Sequence, residues 1–341
     1  MNKVRFAVIG VGGFGRRHAS AIKCSKRGEL VAVCDVIQSR AMNWADTFGC
    51  TYYTDYKEML EDGGFDAVTI AVQDQAHAEI AVAAMEAGYH VFCEKPLALT
   101  REDCKRIVEA QRKTGRCFSC GQSLRKAECF SSAREMIKSG ELGEIFQAEL
   151  EYSHNYSHLK PEWRRDPVNL RYPIIGGGCH AIDILRWTMG EDPTEVIAIS
   201  NHIALKDWPV DDCTVALMKM PSGAIARVTN SIGIQRKYVM SAIYSGTKAT
   251  LECMSKTNGM MLHKPKADFD ISHEFDELYI PISFYEGHNV ECEIEELCSA
   301  ILDGTPISCD ALEGAKTVAV GLAAVESARL GGLPVKPNYN F

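Results

Sequence analysis

The stretch Val8–Gly15, VIGVGGFG, decides how the first third of the chain folds. An apolar run from Val4 to Gly10 reads as a strand, glycines fall at 10, 12 and 15, and Phe14–Cys24 resumes with a helical pattern. The spacing GxGxxG is weak alone, because glycine turns are common. Between a strand and a helix it becomes the signature of a dinucleotide cradle. Gly10 permits the tight turn, Gly12 lets backbone approach a pyrophosphate, and Gly15 lets helix and strand pack closely. The helix start then offers amide donors and partial positive charge to phosphate. Asp35, 20 residues beyond Gly15, closes a second strand. A carboxylate there accepts hydrogen bonds from the adenosine ribose and repels a 2′-phosphate, so NAD is expected. Arg40 nearby keeps NADP as the lesser alternative. The plain alternative is a glycine turn and a helix-capping aspartate.

Outward from this loop the chain alternates. Leu30–Asp35, Ala67–Ala71, His90–Cys93 and Cys117–Gln122 read as strands, with helices at Ala41–Phe48, Ala76–Ala87 and from Thr100, where Asp103 completes a capping signature. Such alternation predicts an α/β Rossmann domain over residues 1–122, a doubly wound parallel sheet with helices on both faces. After residue 123 the rhythm changes. One helix is expected around Ser131–Ser139 and another at Ala181–Met189. The run GEIFQAELEYSH and the segments Glu195–His202, Thr214–Met220, Ala224–Ser231, Val239–Tyr244 and Thr250–Cys253 read as strands joined by turns. Residues 123–341 are therefore expected to form an α+β domain with a mainly antiparallel sheet, closed by helices at Val290–Leu302 and Ala311–Leu330.

Composition narrows the function classes. The 341 residues are 46% apolar and 24% charged, with net charge −8. No basic cluster suggests nucleic acid, and no apolar run is long enough for a membrane helix. The 14 cysteines are scattered without disulfide-like spacing, which suits a reducing compartment and a cytoplasmic protein. Cys117 and Cys120 form one CxxC, read as alternate residues of a buried strand because no second pair completes a zinc site. No metal is expected.

Two further constellations invite chemistry. VFCEKPLAL, Val91–Leu99, ends a buried strand in Glu94, Lys95 and Pro96. In a doubly wound sheet ligands bind beyond the carboxyl ends of strands, where this charged pair falls. A surface ion pair is the bland reading. GGGCHAID puts His180 and Asp183 three apart on one helix face, after glycines that let backbone lie close to a ligand. Imidazole titrates near neutrality and suits proton transfer.

The glycine loop, HAEIAVAAMEAGYHVFCEKPLALT and WRRDPVNLRYPIIGGGCHAIDILRW together resemble the glucose-fructose oxidoreductase / inositol dehydrogenase / MocA (Gfo/Idh/MocA) family over nearly the whole chain. The Glu-Lys-Pro motif before LALT is its most specific mark. The resemblance implies a Rossmann domain, then a large open sheet through which members associate as homodimers or homotetramers. It implies NAD(P)-dependent hydride transfer at a ring hydroxyl carbon of a sugar, glycoside or cyclitol. By resemblance Lys95 and His180 are catalytic. Gly10, Gly12, Gly13, Phe14, Gly15, Asp35, Arg40, Gln73, His77, Glu94, Lys95, Pro96 and Gln122 meet the cofactor, Glu94 at the nicotinamide ribose. Pro96 fixes a bend that a cis bond would suit. Asp183, Arg125, Tyr156, Trp163 and Arg164 are the substrate-side candidates. Two departures stand out. Gly176 replaces an aspartate that many members carry four residues before the histidine, and Gln73-Asp74 replaces a proline-asparagine pair. Two rival readings are a glycoside hydrolase working by oxidation, elimination and reduction, and a dinucleotide-binding regulator without catalysis.

Overall fold

A computed structural model describes residues 3–159, 162–254, 259–265, 275–282 and 289–341. The chain divides into two compact units. The first comprises Met1–Ser123, His288–Val318 and Asn340–Phe341; the second comprises Leu124–Gly287 and Ala319–Tyr339.

The first unit opens β1 (Val4–Ile9), α1 (Gly15–Cys24), β2 (Gly28–Cys34), α2 (Gln38–Phe48), β3 (Thr51–Tyr53), α3 (Tyr56–Asp62), β4 (Ala67–Ile70), α4 (His77–Glu86), β5 (His90–Cys93), α5 (Arg101–Thr114) and β6 (Phe118–Cys120). The six strands form one parallel sheet in the order β3-β2-β1-β4-β5-β6. The order reverses between β1 and β4, so the crevice at their carboxyl ends is the expected ligand site of such a sheet. The strands are apolar on both faces, as a sheet covered on both sides must be: Phe6, Val8, Val33, Val68, Val91 and Phe92 are all fully buried or nearly so. Each such side chain contributes about 1.5–3 kcal/mol of burial. Helix α5 begins as its sequence predicts, with the Thr100 hydroxyl accepting from the Asp103 amide, and ends at Gly115 in the left-handed region. β3 and α3 lay outside the sequence expectation. A three-residue strand carries no periodicity, and α3 spans only seven residues, its start capped by the Asp55 side chain accepting from the Lys57 amide.

The second unit contains α6 (Glu128–Lys138), β7 (Ile145–Ser153), α7 (Pro173–Gly176), α8 (Cys179–Met189), β8 (Glu195–Asn201), β9 (Cys213–Lys219), β10 (Ile225–Ser231), β11 (Val239–Gly246), β12 (Thr250–Met254), β13 (Gly259–Pro265) and β14 (Phe275–Pro281). They build an eight-stranded sheet, β14-β13-β12-β11-β7-β10-β9-β8, antiparallel except between β7 and β10. Alternation along β9 and β10 sends Ala216, Met218, Ala226 and Val228 to a buried face lined by α6, α7 and α8. Val215, Leu217, Ile225 and Ile199 go to the other face, where they are exposed. The sequence reading passed over β13 and β14. Both carry charged and proline residues, and β14 is exposed along nearly its whole length, so the period-2 signal is absent there. Two helices follow, α9 (Val290–Asp303) and α10 (Ala311–Arg329). Among the described residues no helix is long and apolar enough to cross a membrane, and no group of side chains could hold a metal ion.

None of the 14 cysteines is in a disulfide. Burial pushes the Cys34 and Cys298 thiols up to about 12 and Cys129 up to about 11. Thiols that stay protonated in the fold but ionise in the unfolded chain make stability fall as pH rises past the ordinary thiol value, near 9. Only Cys24 and Cys292 are exposed. A thiol reagent at mildly alkaline pH is therefore expected to modify those two quickly and Cys34, Cys129 and Cys298 only after denaturation. Peptide mass spectrometry reads the difference, and rapid labelling of Cys34 would contradict it.

Candidate active site

The first unit builds its ligand edge from the loop after β1. Gly10 takes φ +84°, and a Cβ there would strike the Ala71 carbonyl. A Cβ on Gly15 would land on the Gly10 carbonyl oxygen, so this glycine closes the strand-helix packing. Gly12 and Gly13 differ: no atom lies within 4 Å of where their Cβ would stand. That open space beside the start of α1 would suit phosphate oxygens, and no acidic side chain occupies the helix's first turn to oppose them. Phe14 precedes α1, with the Arg17 guanidinium 5.2 Å from its ring centre.

Asp35 stands at the end of β2, buried. Its carboxylate accepts from the amides of Val11 at 3.1 Å and Ile37 at 3.0 Å, and from Arg40 Nη1 at 3.1 Å. The acid thus ties the glycine loop to the second strand and fixes where a ribose would meet it. Arg40 is its ion partner with a half-exposed side chain. The residues present fit an NAD adenosine. Asp35→Ala removes the repulsion toward a 2′-phosphate and releases Arg40. The NADP:NAD ratio of kcat/KM is expected to rise by about tenfold or more, the worth of one charge-assisted hydrogen bond, and Arg40→Ala added to it should reverse the gain. Initial rates with both cofactors check this. An unchanged ratio would remove Asp35 from cofactor discrimination.

At the end of β5 the chain turns through Glu94, Lys95 and a cis Lys95–Pro96 peptide. Glu94 Oε1 lies 2.9 Å from His18 Nε2 on α1, and Glu94 Oε2 accepts from the Lys95 amide at 3.2 Å. The Lys95 side chain is half-buried. His77, at the start of α4, is fully buried with Nδ1 2.9 Å from the Pro96 carbonyl oxygen. Gln122 is buried just past β6, and Gln73 is exposed, accepting from Gln75 Nε2 at 2.7 Å. The open-edge candidates of the first unit therefore cluster on the loops after β1, β2, β4, β5 and β6, the carboxyl ends of its strands.

In the second unit His180 lies in the first turn of α8, fully buried, its ring centre 5.8 Å from that of Tyr152. Burial pushes the Tyr152 phenol well above its ordinary range, and its hydroxyl lies 3.3 Å from that of Tyr156. Asp183, one turn on, is engaged with Arg125: Nε to Oδ2 at 2.7 Å and Nη2 to Oδ1 at 2.6 Å, both side chains buried. This bidentate pair commits the two charges to each other. Trp163 has the guanidinium of Arg164 at 4.5 Å and that of Arg171 at 5.4 Å from its ring centre.

The glycine run before His180 works differently from the sequence expectation. A side chain at Gly176 would land on the Arg171 guanidinium, one at Gly177 on the Tyr152 ring, and one at Gly178 on the Ile174 backbone. The space these glycines leave is filled by the unit's own side chains and backbone. Arg171 Nη2 also donates to the Gly176 carbonyl at 3.0 Å. Sequence reasoning missed Arg171, Tyr152 and His18, each of which reaches its place from a distant element. Tyr152, at a buried register position of β7, was the most accessible of the three to pattern reading.

A parallel sheet of this order, a glycine loop opening a helix, a buried acid at the end of the second strand and charged residues at the strand ends are the features expected of an NAD-binding oxidoreductase. Residues 4–122 match the family described as "Oxidoreductase family, NAD-binding Rossmann fold", and residues 130–252 match the "GFO/IDH/MocA C-terminal domain". The chain belongs to the Gfo/Idh/MocA family. It is similar to the inositol 2-dehydrogenase of Salmonella typhimurium, 27% identical with 98% of this chain and 99% of the other covered. It also resembles the 1,5-anhydro-D-fructose reductase of Ensifer adhaerens, 27% identical over 96% and 97% of the two chains. A levoglucosan dehydrogenase solved with NADH and L-sorbose shares the fold, with TM-score 0.87, 22% identity and coverage of 99% and 100%.

Proposed function

We propose that this chain is an NAD-dependent dehydrogenase that moves a hydride between nicotinamide and a ring carbinol carbon of a sugar, glycoside or cyclitol. The observation that carries the reading is Lys95, held half-buried at the carboxyl end of β5 beside a pinned Glu94, in a family whose curated relatives act on inositols and an anhydrosugar. NAD, when bound, accepts or returns the hydride. Lys95 and His180 handle the hydroxyl proton, Lys95 as the ammonium or amine that meets the hydroxyl and His180 as the imidazole that takes or relays the proton. Glu94 orients the nicotinamide ribose, and the aromatic and arginine side chains at Tyr156, Trp163 and Arg164 face the polyol.

Purified protein with NAD and a panel of inositols, hexoses, anhydrosugars and glycosides tests the reading by nicotinamide absorbance. Turnover of at least one polyol is expected; inertness toward the whole panel in both directions sinks it. Aryl glycosides in the same panel distinguish the hydrolytic route, which releases nitrophenol with no net NADH.

Self-association through the open sheet completes the proposal. Ile199 is 71% exposed, Ile225 61% and Leu217 47%, all on the uncovered face of β8–β10. An open sheet face that carries exposed apolar side chains of this size is expected to be covered by a second copy. Leu217→Glu with Ile225→Glu should shift the particle toward monomer in light scattering, and an unchanged mass would place the interface elsewhere.

A further inference from the structure

Two fully buried histidines flank the Glu94-Lys95-Pro96 turn from different helices of the first unit. His18 comes from α1, immediately behind the glycine loop, and His77 opens α4. His18 Nε2 meets Glu94 Oε1 at 2.9 Å, and His77 Nδ1 meets the Pro96 carbonyl at 2.9 Å. The residues gripped are those on either side of Lys95. We propose that His18 and His77 are positioning residues that clamp the turn from both ends and so set where the Lys95 amine is presented. The inference rests on the catalytic reading of Lys95.

The chemistry of the partners fixes the protons. A carbonyl oxygen only accepts, so His77 Nδ1 carries the hydrogen. An ionised Glu94 only accepts, so His18 donates from Nε2. The opposite nitrogens, His18 Nδ1 and His77 Nε2, are buried with no hydrogen-bond partner among the described residues. A hydrogen on either would be an orphaned buried donor at the full desolvation cost, whereas a bare lone pair there costs less. The donating nitrogens of the two rings are therefore opposite, Nε2 in His18 and Nδ1 in His77. The Phe92 ring packs edge-on against that of His18, with centres 4.8 Å apart. Glu94 in turn accepts from the Lys95 amide through its second oxygen. The clamp thus reaches Lys95 through its own backbone on one side and through the next residue's carbonyl on the other. A lysine stem has four rotatable bonds, so fixing its Cα is the main means the fold has of aiming the amine.

The first test needs no substrate. Long-range proton–nitrogen NMR of the whole chain, assigned with His18→Leu and His77→Leu, should show a hydrogen on Nε2 of His18 and on Nδ1 of His77. The same nitrogen on both, or the averaged signature of solvated imidazoles, overturns the clamp. The second test is kinetic, with myo-inositol or, if it is inert, the panel polyol that is turned over. Both leucine variants should lower kcat by about 10–100-fold, the cost of misplacing a catalytic group by about 1 Å. Glutamine places its amide near the Nε2 position and asparagine near Nδ1. His18→Gln and His77→Asn should therefore recover most of the rate, while the swapped pair, His18→Asn and His77→Gln, should not. Equal rates for asparagine and glutamine at both positions would reduce the histidines to core filling. This contrast holds even if the leucine variants fail to fold. Full turnover in Lys95→Ala would instead condemn the catalytic reading itself, so the two failures are distinct.

Discussion

Lys95→Ala is expected to lower kcat by about 10²–10⁴-fold, the usual worth of a positioned acid–base group, while the Kd for NAD stays within a small factor. On the proposed reading binding and chemistry separate, because Gly12 and Gly13, Asp35 and Lys95 lie on different loops. Gly12 and Gly13 leave open space at the start of α1, Asp35 is held by Val11, Ile37 and Arg40, and neither arrangement uses Lys95. His180→Ala is expected to cost a comparable factor. If both side chains serve one proton transfer, the double variant should be little worse than either single one, since residues acting as a unit lose their effect together. Fully additive losses would mean that the two serve separate steps. The expectation that most sharply divides an enzyme from a dinucleotide-binding regulator is that NAD affinity survives in both variants while turnover does not. Retention of turnover in Lys95→Ala would leave the sheet-end motif without a chemical role.

Residues that act through their immediate neighbours were the ones visible in the sequence. The glycine loop, Asp35, the Thr100 cap and the Glu-Lys-Pro turn each lie within one strand-loop-helix unit, where spacing constrains geometry directly. The parallel sheet followed from strand-helix alternation for the same reason, except for the three-residue edge strand β3. What sequence could not show depends on pairs far apart in the chain. His18 meets Glu94 across 76 positions and Arg125 meets Asp183 across 58, and no periodicity encodes such a meeting. The run Gly176–Gly178 is the clearest case. Three glycines before a histidine suggest room for a ligand, yet the room is taken by Arg171, Tyr152 and the Ile174 backbone. The same small residue serves either purpose, and only packing separates them. At Gly176 it is the Arg171 guanidinium that stands in the space a side chain would need.

The second large effect concerns stability. Arg125 and Asp183 are 2% and 1% exposed at their side chains and bind through two parallel contacts. Charges taken so far from water are tolerated only while each neutralises the other. Asp183→Ala would leave a buried guanidinium without that carboxylate, and the expected loss is about 3–5 kcal/mol. Arg125→Ala should cost a similar amount, from the stranded carboxylate. A double replacement by apolar residues of matching size, Arg125→Met with Asp183→Leu, is expected to cost far less than the sum of the singles, because no charge is then left desolvated. Urea unfolding of the three variants measures this. A substrate role for Asp183 predicts the opposite ranking: Asp183→Ala would keep its unfolding midpoint and raise KM for the polyol. The two outcomes are exclusive in their main effect, since a carboxylate gripped at 2.6 and 2.7 Å by one guanidinium cannot leave to bind a sugar hydroxyl without paying the stability that the single variants would reveal. Asp183 lies one turn after His180 on α8, so loosening the pair should also disturb the imidazole's placement. Activity in the surviving folded fraction is then expected to fall through kcat rather than through KM.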